Sequence, residues 1–218
     1  FDVPYGLMGW LMLGTMAGLF VSLLGELRRF TTEDHPPGEA AMKSSIVSIG
    51  LGSLSVLYVG VLMSFLVRLR LFDDPSNAEE GAMGLVALGS LIFTVKLSDT
   101  GQYAVGRLFG RTKLAPRLSP GKTWEGTLGG IAISTVVSAL LLCWVVPEFN
   151  PDRQPSLIGT GVYCFFLNVI GVVGDLTESL LKRDSGVKDS SDWLPGMGGV
   201  LDVLDSLLMT APLAVLWW

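Results

Sequence analysis

Long apolar stretches separated by charged or glycine-rich segments make up most of the chain. These stretches run over 6–24, 46–67, 81–95, 127–146, 157–173 and 203–218. A helix that crosses a bilayer needs ~20 largely apolar residues, so the shorter stretches 81–95 and 203–218 are expected to continue into their flanking residues. The pattern predicts an all-α fold, a polytopic bundle of about six transmembrane helices.

The composition supports a membrane protein. Half of the 218 residues are hydrophobic, 16% are charged and the mean hydropathy is +0.54, values that are unusual for a soluble protein. The net charge of −5 indicates no nucleic-acid partner. The chain begins at Phe1 with no basic run before its first apolar stretch, so we expect a trimmed part of a longer protein rather than a secretory signal. Cys143 and Cys164 lie in apolar stretches and are expected to be packing residues.

The distribution of basic residues predicts an orientation. If the apolar stretches alternate across the membrane, segments 25–45, 98–126 and 175–202 share one side, and 68–80 and 148–156 share the other. The first group contains eleven Lys and Arg residues and the second group three. Because an excess of Lys and Arg marks the cytoplasmic side, we expect a multi-pass protein of the inner (cytoplasmic) membrane whose active-site segments face the cytoplasm.

The polar segment 98–126 contains a candidate phosphate site. Ser119 followed by Pro120 is typical of a helix start, whose free N–H groups and dipole favour anions. Lys122 adds a positive charge, and Thr123 adds a hydroxyl. The Gly-Lys-Thr run resembles the end of a Walker A loop, but Pro116 stands where that motif requires glycine, so we exclude it.

Two charged residues, Lys96 and Asp99, lie at the end of the third apolar stretch. Charges at such a depth are costly and usually mark function, although a mutual ion pair at the interface is the alternative. Four basic residues of segment 98–126 have a structural alternative as well, since they could bind anionic lipid headgroups. These four are Arg107, Arg111, Lys113 and Arg117.

The segment 174–206 contains two acidic helix faces. At about 100° per residue, Asp175, Glu178, Ser179 and Lys182 share one face of a helix. After a glycine-rich turn, Asp202, Asp205 and Ser206 share a face of a second helix. Carboxylates gathered from two helices are typical Mg²⁺ ligands, and the only histidine, His35, lies far away, which excludes a histidine-rich zinc site. The alternative is a salt-bridge network that caps two helices.

These residues resemble the signature of the phosphatidate cytidylyltransferases, also called CDP-diacylglycerol synthases. The family pattern is S-x-x-K-R-x4-K-D, then a glycine-rich turn, then two aspartates three residues apart. The matching residues are Ser179, Lys182, Arg183, Lys188, Asp189, Gly198, Gly199, Asp202 and Asp205. The resemblance extends from Asp99 onward and includes the SPGKT segment. Two residues depart from it, because Met197 replaces the family histidine and Val203 replaces the family arginine.

The resemblance implies an enzyme that joins phosphatidate to CTP with release of pyrophosphate, together with a role for each matching residue. The implied catalytic residues are Asp175, Lys182, Arg183, Lys188, Asp189 and Asp202. The implied substrate-binding residues are Asp99, Ser119, Lys122, Thr123, Ser179, Gly198 and Gly199. The implied metal ligands are Asp175, Asp202 and Asp205, for one or two Mg²⁺ ions, with a monovalent second ion as an alternative.

Family members are expected to carry further N-terminal spans and to act as homodimers in the lipid bilayer. On this basis residues 1–97 form an N-terminal transmembrane part and residues 98–218 a catalytic transmembrane domain. Four alternatives remain open at this point: a polyprenol-type kinase that uses CTP, a cytidylyltransferase for ether lipids, a membrane transporter, and an inactive scaffold suggested by Met197 and Val203. A transporter predicts broken helices and charges at mid-membrane, whereas the acids here cluster at helix ends.

Overall fold

The computed structural model describes residues 14–21, 23–25, 28, 47, 49–71, 80–184 and 199–218. Helix α1 spans Ile49–Arg70 and contains a π-helical segment, Val56–Val61. Four more helices follow, namely α2 (Glu80–Phe109), α3 (Trp124–Phe149), α4 (Leu157–Asp184) and α5 (Val200–Trp217). Strands β1 (Lys113–Ala115) and β2 (Ser119–Thr123) form an antiparallel hairpin between α2 and α3. The all-α prediction is confirmed, with this hairpin as the exception.

The chain divides into two compact units, Phe1–Ser64 and Phe65–Trp218. In the first unit, an apolar helix over Gly14–Gly25 approaches the π-helical segment closely, because a Cβ placed on Gly18 would lie 2.8 Å from Cγ1 of Val56. The second unit holds α2 to α5, the hairpin and a buried apolar core. That core is centred on Leu69, Leu91 and Leu167.

Four helices of the described ranges are long and apolar enough to cross a membrane. They cover Ile49–Arg70, Ala82–Phe109, Trp124–Phe149 and Leu157–Arg183. The predicted number of about six is therefore not confirmed. The expectation that stretch 81–95 continues into its flanks is confirmed, because α2 runs on to Phe109. Residues 98–109 of the polar segment 98–126 are the end of this helix, since a helix satisfies its own backbone whatever its side chains are.

Helices α2 and α3 pack with their backbones in contact. A Cβ placed on Gly130 would lie 2.5 Å from the backbone N of Gln102 and 2.8 Å from the carbonyl O of Ser98. A Cβ on Gly126 would lie 2.7 Å from the carbonyl O of Gln102. Gly126 and Gly130 form a G-x-x-x-G pair, the spacing that lets membrane helices approach each other closely. This approach places the second half of α2 beside the first turns of α3.

Buried polar side chains connect three of the helices. The Ser134 hydroxyl of α3 lies 2.7 Å from the carbonyl O of Thr94 in α2 and 3.2 Å from Oδ1 of Asn168 in α4. The Asn168 amide in turn donates to Oγ1 of Thr135 at 3.1 Å. Hydrogen bonds of this kind hold helices together in an apolar environment, where no water competes for the donors.

The start of α3 differs from the prediction. Ser119 and Pro120 lie in strand β2, so the predicted helix start at these two residues is wrong. The helix begins at Trp124, and the side chain of Thr123 caps it by accepting the Gly126 N–H at 3.2 Å. Pro120 fits a two-stranded hairpin because each strand has an open edge, where its missing N–H costs no hydrogen bond.

Helices α4 and α5 approach each other at a glycine as well. A Cβ placed on Gly174 would lie 3.0 Å from Cβ of Met209 and 3.1 Å from the carbonyl O of Asp205. This contact brings the acidic face of α5 against that of α4, as the helical phases predicted. Both cysteines are free, with Cys164 buried and Cys143 half-buried in the helices, which agrees with their expected packing role.

Candidate active site

A cavity of about 390 Å³ lies among α2, β2, α3, α4 and α5. Ligand pockets usually measure ~300–1,000 Å³, so this cavity is large enough for a molecule of nucleotide size. The lining residues are Lys96, Asp99, Gln102 and Tyr103 of α2, Ser119, Gly121, Lys122 and Thr123 of β2, Thr127 of α3, Asp175 of α4, and Asp202 and Asp205 of α5.

The cavity unites both polar segments that the sequence singled out. Eight of the residues named from sequence line it, namely Lys96, Asp99, Ser119, Lys122, Thr123, Asp175, Asp202 and Asp205. Three more of the predicted site residues lie on α4. Lys182 contacts Asp202, Ser179 is half-buried and Arg183 is exposed. Gly199 is the residue before α5. Lys188, Asp189, Met197 and Gly198 lie outside the described residues.

Ion pairs connect the basic and acidic residues of the cavity. Lys122 of β2 pairs with Asp175 of α4, which ties the hairpin to the acidic helix. Lys182 lies 2.7 Å from both Oε2 of Glu178 and Oδ1 of Asp202, and so links α4 to α5. Lys96 and Asp99 form a weaker pair at 3.4 Å within α2. The mutual ion pair considered from sequence is therefore present, and both of its members also line the cavity.

Asp202 has a second structural contact at the start of α5. Its carboxylate accepts the backbone N–H of Gly199 at 2.5 Å, which satisfies one of the free donors of the first helical turn. A negative charge at this position is also favoured by the helix dipole. The Asp205 carboxylate accepts the N–H of Ser206 at 2.5 Å.

Three carboxylates from α4 and α5 come close enough to share a cation. One oxygen each of Asp175, Glu178 and Asp205 lies within 4.8 Å of the others. Glu178 is 1% exposed, and the Lys182 ammonium lies 2.7 Å from its Oε2 as an ionic partner. Asp202 is a further carboxylate neighbour of Glu178. Oxygen donors of this kind suit Mg²⁺.

The charges around this cavity are unbalanced. Among the residues that the structure describes, five carboxylates, of Asp99, Asp175, Glu178, Asp202 and Asp205, lie in or beside the cavity with three ammonium groups, of Lys96, Lys122 and Lys182. Burial lowers the pKa of Lys122, and the charges of Asp99 and Asp205 oppose that shift. The excess of two negative charges favours a divalent cation, and the ammonium groups suit phosphate oxygens.

Sequence reasoning missed several lining residues. Gln102 and Tyr103 follow Asp99 at i+3 and i+4, so the helical period would have found them if residues 98–109 had been assigned to a helix. Glu178 was placed on the acidic face but not among the metal ligands. The local sequence pattern does not show whether Glu178 or Asp202 is the better metal ligand, because their relative positions depend on how α4 and α5 cross.

These features define a class of protein. Several helices are long enough to span a bilayer, and a polar cavity lined by lysines and carboxylates lies at their ends. Together, these features define an integral membrane protein with a charged site. A model of the cytidylyltransferase family matches residues 5–218. The chain belongs to that family.

Several curated proteins are similar to the chain. A phosphatidate cytidylyltransferase of Haemophilus influenzae is 43% identical over 132 residues, which cover 59% of this chain and 44% of that protein. One of Pseudomonas aeruginosa is 46% identical over 122 residues, covering 55% and 43%. One of Synechocystis is 36% identical over 191 residues, covering 78% and 62%. The chain spans about half the length of the relatives that it matches.

Proposed function

We propose that this chain transfers the cytidylyl group of CTP to phosphatidate, which forms CDP-diacylglycerol and pyrophosphate. The observation that carries the proposal is the cavity itself, whose lining includes two lysines and four carboxylates, with the Lys182–Glu178 ion pair beside it. A nucleoside triphosphate and a lipid phosphate would bind next to each other in this cavity. The names of the similar bacterial proteins support this choice of substrates.

The reaction needs positioning and charge neutralisation more than covalent help. An oxygen of the phosphatidate phosphate attacks the α-phosphorus of CTP, and the bond from that phosphorus to the bridging oxygen of the β-phosphate breaks. Pyrophosphate leaves with the electron pair. Because a lipid phosphate is already ionised near neutral pH, no strong general base is required. Lys96, Lys122 and Lys182 would bind phosphate oxygens and hold the reacting groups in line.

The donor set fits Mg²⁺. Asp175, Glu178 and Asp205 offer oxygen ligands, and the buried Glu178 carboxylate shares its ammonium partner, Lys182, with Asp202. These three residues would hold one ion, and Asp202 remains a predicted ligand beside them. When bound, Mg²⁺ supplies positive charge for the phosphate oxygens of the substrates.

Location and assembly are part of the same proposal. The excess of basic residues in segments 98–126 and 175–202 supports an active site at the cytoplasmic face of the inner membrane. A homodimer is implied by the family resemblance alone, and cross-linking of the protein in membranes would test it.

A labelling assay tests the reaction. Purified protein is incubated with phosphatidate in detergent micelles, Mg²⁺ and CTP that is labelled at either its α- or its γ-phosphorus. The α-label is expected in the lipid and the γ-label in pyrophosphate. Label from the γ-position in lipid would instead identify a kinase. An ether-lipid acceptor that is strongly preferred over phosphatidate would correct the substrate.

A matched pair of variants assigns the reaction to the cavity. Asp202→Asn is expected to reduce CDP-diacylglycerol formation to background in a folded protein. Asp152→Asn changes an exposed carboxylate in the loop between α3 and α4 and is expected to retain activity. Equal rates in the two variants would contradict the role of Asp202.

A further inference from the structure

A second, apolar cavity of about 200 Å³ lies between α2 and α3. We call it the apolar groove, and it is lined mainly by Val86, Gly89 and Phe93 of α2 and by Leu141, Leu142 and Val145 of α3. We propose that the apolar groove binds an acyl chain of the phosphatidate whose phosphate occupies the active-site cavity. This inference rests on the proposed function, because it names the binding site for the tail of that substrate.

The lining of the apolar groove suits a hydrocarbon chain. Ser90 and Thr94 add hydroxyl groups on α2. The Ser90 hydroxyl donates to the carbonyl O of Ala87 at 2.7 Å, so its proton is already engaged within the helix. Phe93 is 40% exposed at the rim, whereas Leu142 is buried in the floor. The groove therefore excludes a charged headgroup but accepts methylene groups.

The position of the groove matches the depth of an acyl chain. On α2, Lys96 and Asp99 line the active-site cavity, and Phe93 and Thr94 line the near end of the groove. At ~1.5 Å per residue, Gly89 lies ~15 Å along the helix from Asp99. One leaflet contributes about half of the ~30 Å hydrocarbon core, so a long acyl chain attached at the cavity reaches the level of Gly89.

Gly89 leaves the groove open at its centre. A Cβ placed on Gly89 would meet no atom within 4 Å, so a side chain added there begins in open space. Such a side chain would occupy the space of the acyl chain. Gly161 of α4 offers a matched control, because a Cβ placed there also meets no atom within 4 Å and the residue lines neither cavity.

The test compares Gly89→Leu with Gly161→Leu on two substrates. Dioleoyl phosphatidate has chains that reach Gly89, whereas dihexanoyl phosphatidate has chains of about a third of that length, which end before it. For the dioleoyl lipid, Gly89→Leu is expected to lower kcat/KM roughly tenfold relative to Gly161→Leu, because the displaced chain misplaces the phosphate. For the dihexanoyl lipid, the two variants are expected to be equal. Equal loss on both lipids, or no loss, would overturn the inference.

A measurement that needs no turnover separates this inference from the proposed function. Wild-type protein is photolysed with a phosphatidate that carries a diazirine in the middle of one acyl chain. We expect labelled peptides that cover 86–94 or 141–145, and label found only elsewhere would refute the groove. If these peptides are labelled but no CDP-diacylglycerol forms from CTP, the groove stands as a lipid site and the proposed reaction fails.

Discussion

At the scale of single residues, the active-site cavity depends on charges that are expensive to bury. Glu178 is 1% exposed, and Lys182 is 18% exposed between Glu178 and Asp202. A buried carboxylate costs several kcal/mol unless a cation compensates it, and one ammonium group is shared here by two carboxylates. One ammonium group cannot neutralise two carboxylates. The negative charge that is left over makes Glu178 a candidate metal ligand as well as a salt-bridge partner.

Glu178→Gln tests this assignment. The substitution keeps the size of the side chain and removes its charge, so the Mg²⁺ concentration for half-maximal activity is expected to rise roughly tenfold or more. The stabilisation of the protein by Mg²⁺ against thermal unfolding should weaken in parallel. Glu148→Gln, at an exposed glutamate near the end of α3, is the control. If Glu178 only forms a salt bridge with Lys182, the Mg²⁺ concentration for half-maximal activity and the stabilisation by Mg²⁺ will both match those of the wild type.

At the scale of secondary structure, one side chain and one backbone hydrogen bond tie the start of the hairpin to the start of α3. The Glu125 carboxylate accepts the backbone N–H groups of Arg111 and Thr112 at 3.1 Å. Thr112 also contacts α3 through its backbone, because its carbonyl O accepts the Trp124 N–H at 2.9 Å. These bonds position the strand that carries Ser119 and Lys122 over the cavity. Glu125 is therefore a positioning residue for the site.

Glu125→Ala is expected to loosen the hairpin. Without the carboxylate, the two backbone N–H groups lose their acceptor, so hydrogen exchange at Arg111 and Thr112 should become faster. The KM for CTP is expected to rise several-fold with a smaller change in kcat, because Lys122 is less well placed. Glu148→Ala on the same helix provides the comparison. An unchanged exchange pattern would show that the hairpin is held by other contacts.

The glycine contact between α2 and α3 makes a prediction about stability. Gly130→Ala forces a methyl group against the backbone of Gln102, and overpacking of this kind costs about 1–3 kcal/mol of unfolding free energy. Gly161→Ala adds the same methyl group in open space and is expected to be neutral or slightly stabilising. Thermal unfolding in detergent micelles measures both. A Gly130→Ala protein as stable as Gly161→Ala would disprove the close contact.

At the scale of the whole molecule, the length of the spanning helices places their two ends on opposite sides of the membrane. Helix α3 has 26 residues and is ~39 Å long, enough to separate the hairpin at its start from the loop at its end. The hairpin region is rich in basic residues, and Arg117 is exposed there. The loop after α3 contains Arg153 as its basic residue. The proposed orientation follows from this difference.

Cysteine labelling checks the orientation. In intact cells with a permeable outer layer, a maleimide that cannot cross the inner membrane is expected to label Asp152→Cys but not Arg117→Cys. After the membrane is disrupted, both should react. The parent chain, whose Cys143 and Cys164 are half-buried and buried, gives the background. Labelling of Arg117→Cys alone in intact cells would reverse the proposed topology.

Much of the fold could be predicted from local pattern. The apolar stretches indicated spanning helices because a bilayer imposes a minimum length, and their period placed the acids of α4 and α5 on single faces. The pattern failed to predict how far α2 extends: the helix runs on to Phe109, and Asp99, Gln102 and Tyr103 of this extension line the cavity. It also failed at Ser119 and Pro120, whose local preference for a helix start is overridden by pairing with β1.

By itself the sequence determined the membrane class, the family and the two polar segments that form the candidate site, because these depend on residue type and spacing along the chain. Only the tertiary structure decided which groups meet. Close contact between α4 and α5 at Gly174 accompanies the cluster of Asp175, Glu178 and Asp205. Helices α2 and α3 meet at Gly130, and further along the same pair the apolar groove includes Gly89. The distance between side chains on different helices depends on where those helices cross, which no single segment encodes.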